Sequence, residues 1–270
     1  MPAGSRRRGR ALDRQCGKVC RRMNPLRRLR SGLRLLQPRQ LRVRGGTCPF
    51  CGPTFLVRLR AEETGVRCLR CAASAVHLSM GWALRPFAGT IPRSDAYELS
   101  SRGPLVEWLR RHSRSLQVSE YFDDVPAGQL RDGVRCEDVQ ALGLPDASFD
   151  LVTHTEVFEH VPDDRRGFAE LFRVLRPGGV MVFTVPLTAS PGTIERARIA
   201  GGELEHLLPP TYHTDLLRGE GRVLCFRDYG LDVVERVAQA GFGQVRLLEP
   251  DPRVPWGYGR RVVTAIKERP

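Results

Sequence analysis

Phe149-Asp150-Leu151-Val152-Thr153 opens the stretch that decides the fold. It is an apolar run of strand length, followed by a helical pattern over 163–175 and a second apolar run over 180–185. In the middle segment Phe168, Leu171, Phe172 and Leu175 fall at i, i+3, i+4 and i+7, the spacing that lines one face of an α-helix. Asp163 and Asp164 supply the acids that favour a helix start, and Pro177-Gly178-Gly179 reads as the helix stop and the entry to the next strand. Strand, helix and strand in this order predict a βαβ unit with parallel strands.

The alternation continues outward. Runs over 96–99 and 116–119 read as strands, with a helix over 104–111 between them whose Pro104 suits a first turn. Downstream, a helix over 231–240 stops at Gly241, and closing strands over 244–248 and 261–266 are expected to pair antiparallel at the sheet edge. The fold class expected for 93–270 is α/β, a doubly wound, Rossmann-like, mostly parallel sheet with an antiparallel edge strand.

Ahead of it, over 46–85, stands a cysteine module. Cys48-Pro49-Phe50-Cys51 and Cys68-Leu69-Arg70-Cys71 are two C-x-x-C pairs sixteen residues apart, with strand-like runs over 55–60 and 65–67 between them. Each pair makes one turn that aims two sulfurs at a common point, so Cys48, Cys51, Cys68 and Cys71 are the expected ligands of a structural zinc in a zinc-ribbon-like module. Two disulfides are the alternative, and they need an oxidising compartment for which no export signal is evident. A module of this size has too little core to fold without such a staple. Cys16, Cys20, Cys136 and Cys225 lack this pairing and read as incidental.

The 270-residue chain has a formal net charge of +13, which by itself would suggest a nucleic-acid partner. The first 46 residues carry 15 basic residues and one acid, Asp13, whereas the other 224 carry 28 basic and 29 acidic ones. The basicity belongs to an extension over 1–45, expected to be largely disordered, in which Leu26, Leu29, Leu33 and Leu36 outline a short basic amphipathic helix. Met23 is a second candidate translation start. No apolar run reaches the length of a membrane span and no secretory signal pattern is evident, so the cytoplasm is the expected compartment.

Three motifs carry a resemblance. They are Leu144-Pro145-Asp146-Ala147-Ser148-Phe149-Asp150-Leu151-Val152, then Glu156-Val157-Phe158-Glu159-His160-Val161, then Arg173-Val174-Leu175-Arg176-Pro177-Gly178-Gly179. In this order the chain resembles the class I S-adenosylmethionine-dependent methyltransferases of the small-molecule type, over roughly 94–268. The resemblance implies S-adenosylmethionine as cofactor, bound across the carboxyl ends of the central strands. It also implies site residues. Glu98 matches the acid of the first motif, and Ser100 and Gly103 lie in the loop after it. Glu120, with Asp123 and Asp124 as competitors, matches the acid that holds the ribose hydroxyls. Asp138, with Glu137 as competitor, matches the acid that meets the adenine amino group, and Val139 would supply a backbone amide and apolar contact. The chain departs from the family in its first loop, Tyr97-Glu98-Leu99-Ser100-Ser101-Arg102-Gly103-Pro104, where Ser100 and Arg102 replace glycines. Either that loop still admits the cofactor or the domain has lost it.

The acceptor side is less marked. His154, Glu156 and His160 follow the fourth strand, and Tyr212, His213 and Asp215 stand in an insertion after the fifth. His213 and His160 are the candidate base or acceptor contacts, against the reading that each merely orders its own turn. The expected partner is a small or medium-sized acceptor molecule. A nucleic acid held by the basic tail is a less favoured one. The competing class is a nucleic-acid-binding zinc-ribbon protein on a non-catalytic methyltransferase scaffold, or an RNA or DNA methylase. The ribbon offers it only Arg58, Arg60, Arg67 and Arg70, and no Asn-Pro-Pro-Tyr motif follows the fourth strand.

Overall fold

The computed structural model describes residues 36–215 and 221–269. Cys16, Cys20, Met23 and, apart from Leu36, the helix read near 25–36 lie outside the described residues.

The N-terminal module is an antiparallel sheet of β1 (Arg42–Cys48), β2 (Gly52–Arg58) and β3 (Val66–Cys68). β1 begins inside the segment read as basic extension and pairs Arg42 with Arg58 and Gly45 with Phe55. Next comes α1 (Ala75–Ala83), capped by Ser74, whose hydroxyl accepts from the His77 amide. The main body then runs β4 (Asp95–Glu98), α2 (Pro104–His112), β5 (Ser115–Glu120), β6 (Leu130–Arg131), β7 (Val134–Cys136), β8 (Phe149–Thr155), α3 (Asp164–Val174) and β9 (Leu175–Thr184). An insertion follows, made of three two-stranded pairs. β10 (Ile194–Glu195) pairs with β15 (Arg227–Asp228), β11 (Ala197–Ala200) with β12 (Glu203–His206), and β13 (Tyr212–Asp215) with β14 (Gly221–Leu224). The chain closes through α4 (Val233–Ala238), β16 (Gln244–Leu248) and β17 (Val262–Ile266).

The eight-stranded sheet has the order β16-β17-β9-β8-β4-β5-β7-β6. β7, β5, β4, β8 and β9 run parallel, while β17 and β16 on one edge and β6 on the other are antiparallel. The expected doubly wound, mostly parallel sheet is present, with antiparallel strands at both edges. The strand order reverses beside β4, the place where open α/β sheets leave a crevice at their carboxyl edge. On one face Phe158, Phe168, Leu171, Val233 and Val237 pack against Val152 and Phe183. On the other, Leu105, Leu109, Met80 and Ala83 cover Leu151, Val182 and Val262.

Two details differ from the sequence reading. Pro177-Gly178-Gly179 lies within β9 and does not separate helix from strand. The helix ends at Val174, and the register jumps from Phe149–Leu175 to Leu151–Val180, so these residues form a bulge. Gly178, at φ +85°, donates its amide to the Lys267 carbonyl at 2.6 Å. α4 is also shorter than read, although Gly241 does stop the segment at φ +106°.

The larger difference is α1, which falls mostly in the module and has no polar face. Ala75, Leu78 and Trp82 join Cys48, Leu56 and Val66 in the ribbon core, while Met80 and Ala83 join the core under the sheet. Gly81 is what allows the ribbon so close, since a Cβ there would stand 2.5 Å from Pro49 Cγ. The two modules therefore share one helix.

Candidate active site

β4, β5, β7, β8 and β9 all deliver their carboxyl ends to the same edge of the sheet, and the predicted site residues gather there. Glu98 ends β4 and is 1% exposed. Its carboxyl accepts from the Ser100 hydroxyl at 2.8 Å and from the Thr153 hydroxyl on β8. Burial above all, helped by the Glu120 charge and opposed by those two hydroxyls, pushes Glu98 up to about 8. Glu120 ends β5, and one of its oxygens accepts from the Ser101 amide at 2.7 Å and the Ser101 hydroxyl at 2.8 Å. The loop after the first strand is thus held by the acid after the second.

Gly103 turns that loop into α2 at φ +122°, where a side chain would be strained, and a Cβ there would approach His77 Nε2 to 3.3 Å. The N-terminal part of the chain therefore reaches this loop through α1. His77, whose Nδ1 lies 2.7 Å from the Ser74 hydroxyl, is driven down to about 4 by burial and then by the Arg67 charge.

After β7 the two competing acids separate. Glu137 is 3% exposed, pairs with Arg135 and accepts from the Gly143 amide at 2.8 Å, so it is committed to holding its own loop. Asp138 is half-buried and accepts from the Gln140 amide at 2.9 Å, and Val139 packs into the main core.

At the end of β8 the outcome is uneven. His154 is fully buried between the rings of Phe158 and Phe183 at 4.6 and 4.5 Å, neither nitrogen has a hydrogen-bond partner, and burial drives it down to about 3. It is a neutral core residue, unsuited to the base role considered for it. Glu156 follows at φ +53°, a left-handed backbone that a non-glycine side chain adopts under strain. Burial, then Glu159, pushes it up to about 7, against the pull of Arg260.

His160 and His213 come together. Their rings meet edge to face at 5.0 Å, although they stand 53 residues apart in β13 and the turn after β8. Glu159 Oε1 lies 3.6 Å from His160 Nε2 and 3.5 Å from His213 Nδ1. Cys225 is the third partner, and the His160, His213 and Cys225 donor atoms all lie within 4.8 Å of one another. The nearby Cys225 sulfur, then the Glu159 carboxylate, raises His213 to about 10. Burial acts downward on His160, but Cys225 and Glu159 together outweigh it and raise it. Burial acts upward on the Cys225 thiol, but both imidazoles outweigh it and bring it to about 7. Sequence reading took Cys225 as incidental and passed over Glu159. The signal available in the sequence is that Glu159 adjoins His160; Cys225 directly follows β14, one residue beyond the register pair Tyr212–Leu224.

In the ribbon, Cys48 Sγ lies 3.6 Å from Cys71 Sγ, and Cys51 Sγ lies 3.5 Å from Cys68 Sγ, with all four sulfurs within 4.8 Å. A disulfide needs about 2.05 Å. A tetrahedral ion with sulfur bonds of about 2.3 Å needs sulfur separations of about 3.8 Å, which these distances match. The module also reaches the sheet's carboxyl edge. Arg260, just ahead of β17, pairs with Glu63 of the ribbon, lies 3.4 Å from Glu156, and donates its amide to Ser79 of α1 at 2.9 Å. The Tyr258 hydroxyl donates to the Ala61 carbonyl.

Residues 100–183 match the family model described as a methyltransferase domain. A Mycolicibacterium smegmatis protein named "Probable S-adenosylmethionine-dependent methyltransferase" is 45% identical over 70 residues, 25% of this chain and 27% of that protein. The demethylmenaquinone methyltransferase of Deinococcus radiodurans is 35% identical over 119 residues, 42% of this chain and 46% of its own length. The ubiquinone biosynthesis O-methyltransferase of Coxiella burnetii is 31% identical over 90 residues, 30% of this chain and 38% of its own. The chain thus spans less than half the length of each of these curated relatives. Among solved structures, a methyltransferase from Mesorhizobium loti is 20% identical, covers 70% of this chain and 97% of its own, and has a TM-score of 0.44. The resemblance expected from the three motifs holds over the stretch that contains them.

Proposed function

We propose that this chain is an S-adenosylmethionine-dependent methyltransferase acting on a small or medium-sized acceptor. The observation that carries the reading is the set of acids at successive strand ends: Glu98 after β4, Glu120 after β5 and Asp138 after β7, with Glu120 bonded to the loop that follows β4. Such a set fits a nucleoside, whose ribose hydroxyls and adenine amino group are donors that carboxylates accept. When bound, the cofactor supplies a methyl group on a sulfonium centre.

The protein's share of the reaction is alignment and exclusion of water. Glu120 would hold the ribose hydroxyls and Asp138 the adenine amino group, beside Val139. Ser100 and Gly103 would line the methionine end, and Glu98 would keep the loop that carries them in place. On the acceptor side stand His160 and His213 with Glu159, beside Pro186, Leu187 and Thr188 after β9. An acceptor hydroxyl, thiol or amine placed there meets imidazole and carboxylate groups that orient it.

We assign zinc to the four-cysteine set on its sulfur spacing, and the ribbon's Glu63, which pairs with Arg260 and through it reaches Glu156, makes that zinc a support of the acceptor edge. Six cysteines without a disulfide among the described residues fit a reducing compartment, the cytoplasm. Among the described residues no helix is long and apolar enough to cross a membrane. Isothermal titration of the zinc-loaded full chain with S-adenosylmethionine and S-adenosylhomocysteine tests the central assignment. Micromolar binding of either supports it, and binding of neither overturns it.

A further inference from the structure

Glu159 is a buried carboxylate without a hydrogen bond. It is 2% exposed, and neither oxygen has a hydrogen-bond partner. A carboxylate removed from water in this way needs a cation close by. The groups nearest it are two imidazoles and, beyond them, the buried thiol of Cys225, with the charges of Glu156 and Arg260 farther off. From these we propose that Glu159, His160, His213 and Cys225 form a second metal site, for a zinc-type divalent ion, separate from the four-cysteine cluster.

The donor chemistry is that of such an ion. One thiolate, two imidazoles and a carboxylate are the ligand types zinc takes, whereas magnesium and calcium would require oxygen throughout. The ring orientation agrees. His160 Nδ1 bonds the Leu224 carbonyl at 2.8 Å, so the proton on that nitrogen points away and Nε2 faces the cluster. A backbone carbonyl on the far nitrogen is the usual way a ligating histidine is fixed in its tautomer. The carboxylate-to-imidazole separations of 3.5 and 3.6 Å already match the edges of a tetrahedron with bonds of about 2.0–2.3 Å. The two imidazole nitrogens and the Cys225 sulfur lie within 4.8 Å of one another, and His213, whose side chain is 43% exposed on a two-stranded ribbon, has room to turn toward the others.

The backbone holds the donors in place. The Cys225 amide donates to the Thr211 carbonyl at 2.8 Å, and the Phe226 amide donates to the Glu159 carbonyl at 2.7 Å. The segments that carry Glu159, Cys225 and His213 are therefore tied together by main-chain bonds. The site opens on the cleft beside Pro186, Leu187 and Thr188, which leaves an approach for a fifth ligand such as an acceptor oxygen or sulfur. The inference needs only these four side chains and does not rest on the methyl-transfer reading.

Zinc content of the full chain, measured after exposure to a modest excess of Zn2+ at neutral pH and removal of loose metal, tests it. The wild-type chain is expected to retain one more equivalent than Cys225→Ser or His213→Ala, and Cys68→Ser is expected to lose a different equivalent. With Co2+ as the probe, the equivalent lost in Cys225→Ser should carry the spectrum of a site with a single thiolate, and the one lost in Cys68→Ser that of a sulfur-rich site. Circular dichroism checks that each variant is folded. If a variant fails to fold, the wild-type cobalt spectrum decides, since it must contain both signatures. Equal zinc in wild type, Cys225→Ser and His213→Ala, or a wild-type cobalt spectrum of sulfur-rich character alone, overturns the proposal. S-adenosylmethionine binding is not a readout in this experiment, so its outcome is independent of the methyltransferase assignment.

Discussion

The Arg227 guanidinium reaches the Phe158 carbonyl at 2.9 Å, across 69 residues of sequence. The same Nη1 donates to the Val161 carbonyl at 2.6 Å, Nη2 donates to Pro162 at 2.7 Å, and Nε lies 3.1 Å from Glu195. One buried side chain thus clamps the insertion onto the turn that presents Glu159 and His160. Arg236 and the Tyr229 hydroxyl complete the group on Asp164, at 3.0 and 2.8 Å.

Replacing Arg227 by Ala removes a donor from Glu195 and from the Phe158, Val161 and Pro162 carbonyls, and takes a charge from beside Asp164. The expected loss is about 3–5 kcal/mol, the range for breaking a buried charged network from one side. Urea unfolding followed by far-UV circular dichroism measures it, and a change below about 1 kcal/mol would show that the clamp is dispensable.

Glu98 makes stability depend on pH. Its pKa is pushed up to about 8, so the native chain keeps a proton that the unfolded chain releases above about 4.3. The contribution is complete below that lower value, declines as pH rises toward 8, and is level above it. Glu98→Gln removes the decline. Relative to wild type, the variant should gain stability between about pH 5 and about pH 8, by an amount on the order of 1–3 kcal/mol. A difference that does not change with pH would contradict the assignment.

Gly103→Ala should destabilise the chain by about 1–2 kcal/mol because of its positive φ, and should weaken S-adenosylmethionine binding by displacing the loop. A double-mutant cycle with His77→Ala separates strain from contact. Additive effects point to the backbone, and coupling points to the approach of the new Cβ to His77 Nε2.

The two acids after β7 should behave oppositely. Asp138→Ala is expected to weaken cofactor binding roughly tenfold with little change in stability, about the worth of one charge-assisted hydrogen bond. Glu137→Ala should cost about 1–3 kcal/mol of stability, since it strands the Gly143 amide and Arg135. Calorimetric titration and thermal melts on the same samples distinguish them.

The parallel core was legible because its period is local. Phe168, Leu171 and Phe172 line one helical face, and 149–153 and 180–185 are apolar runs of strand length. α1 was not legible for the opposite reason. Seven of its nine residues are buried, with Leu78 and Trp82 facing one core and Met80 the other, so no exposed polar face reveals a period. The strand-end acids could be placed by the resemblance because Glu98 and Glu120 close their own strands and Asp138 lies two residues past β7. The association of Cys225 with His160 could not, since it depends on how an insertion of more than thirty residues folds back, and hydropathy carries no record of that pairing.

The sharing of α1 has a thermodynamic consequence. A helix that contributes Leu78 to one core and Met80 to the other cannot unfold for one without exposing the other. Metal bound by Cys48, Cys51, Cys68 and Cys71 is then a ligand of the whole native state, and its free energy adds to the stability of the large sheet as well as the small one. The chain should melt in one cooperative transition whose midpoint rises with free zinc, and loss of the four-cysteine metal alone, as in Cys68→Ser, should lower the melting of the parallel sheet although that metal does not touch it.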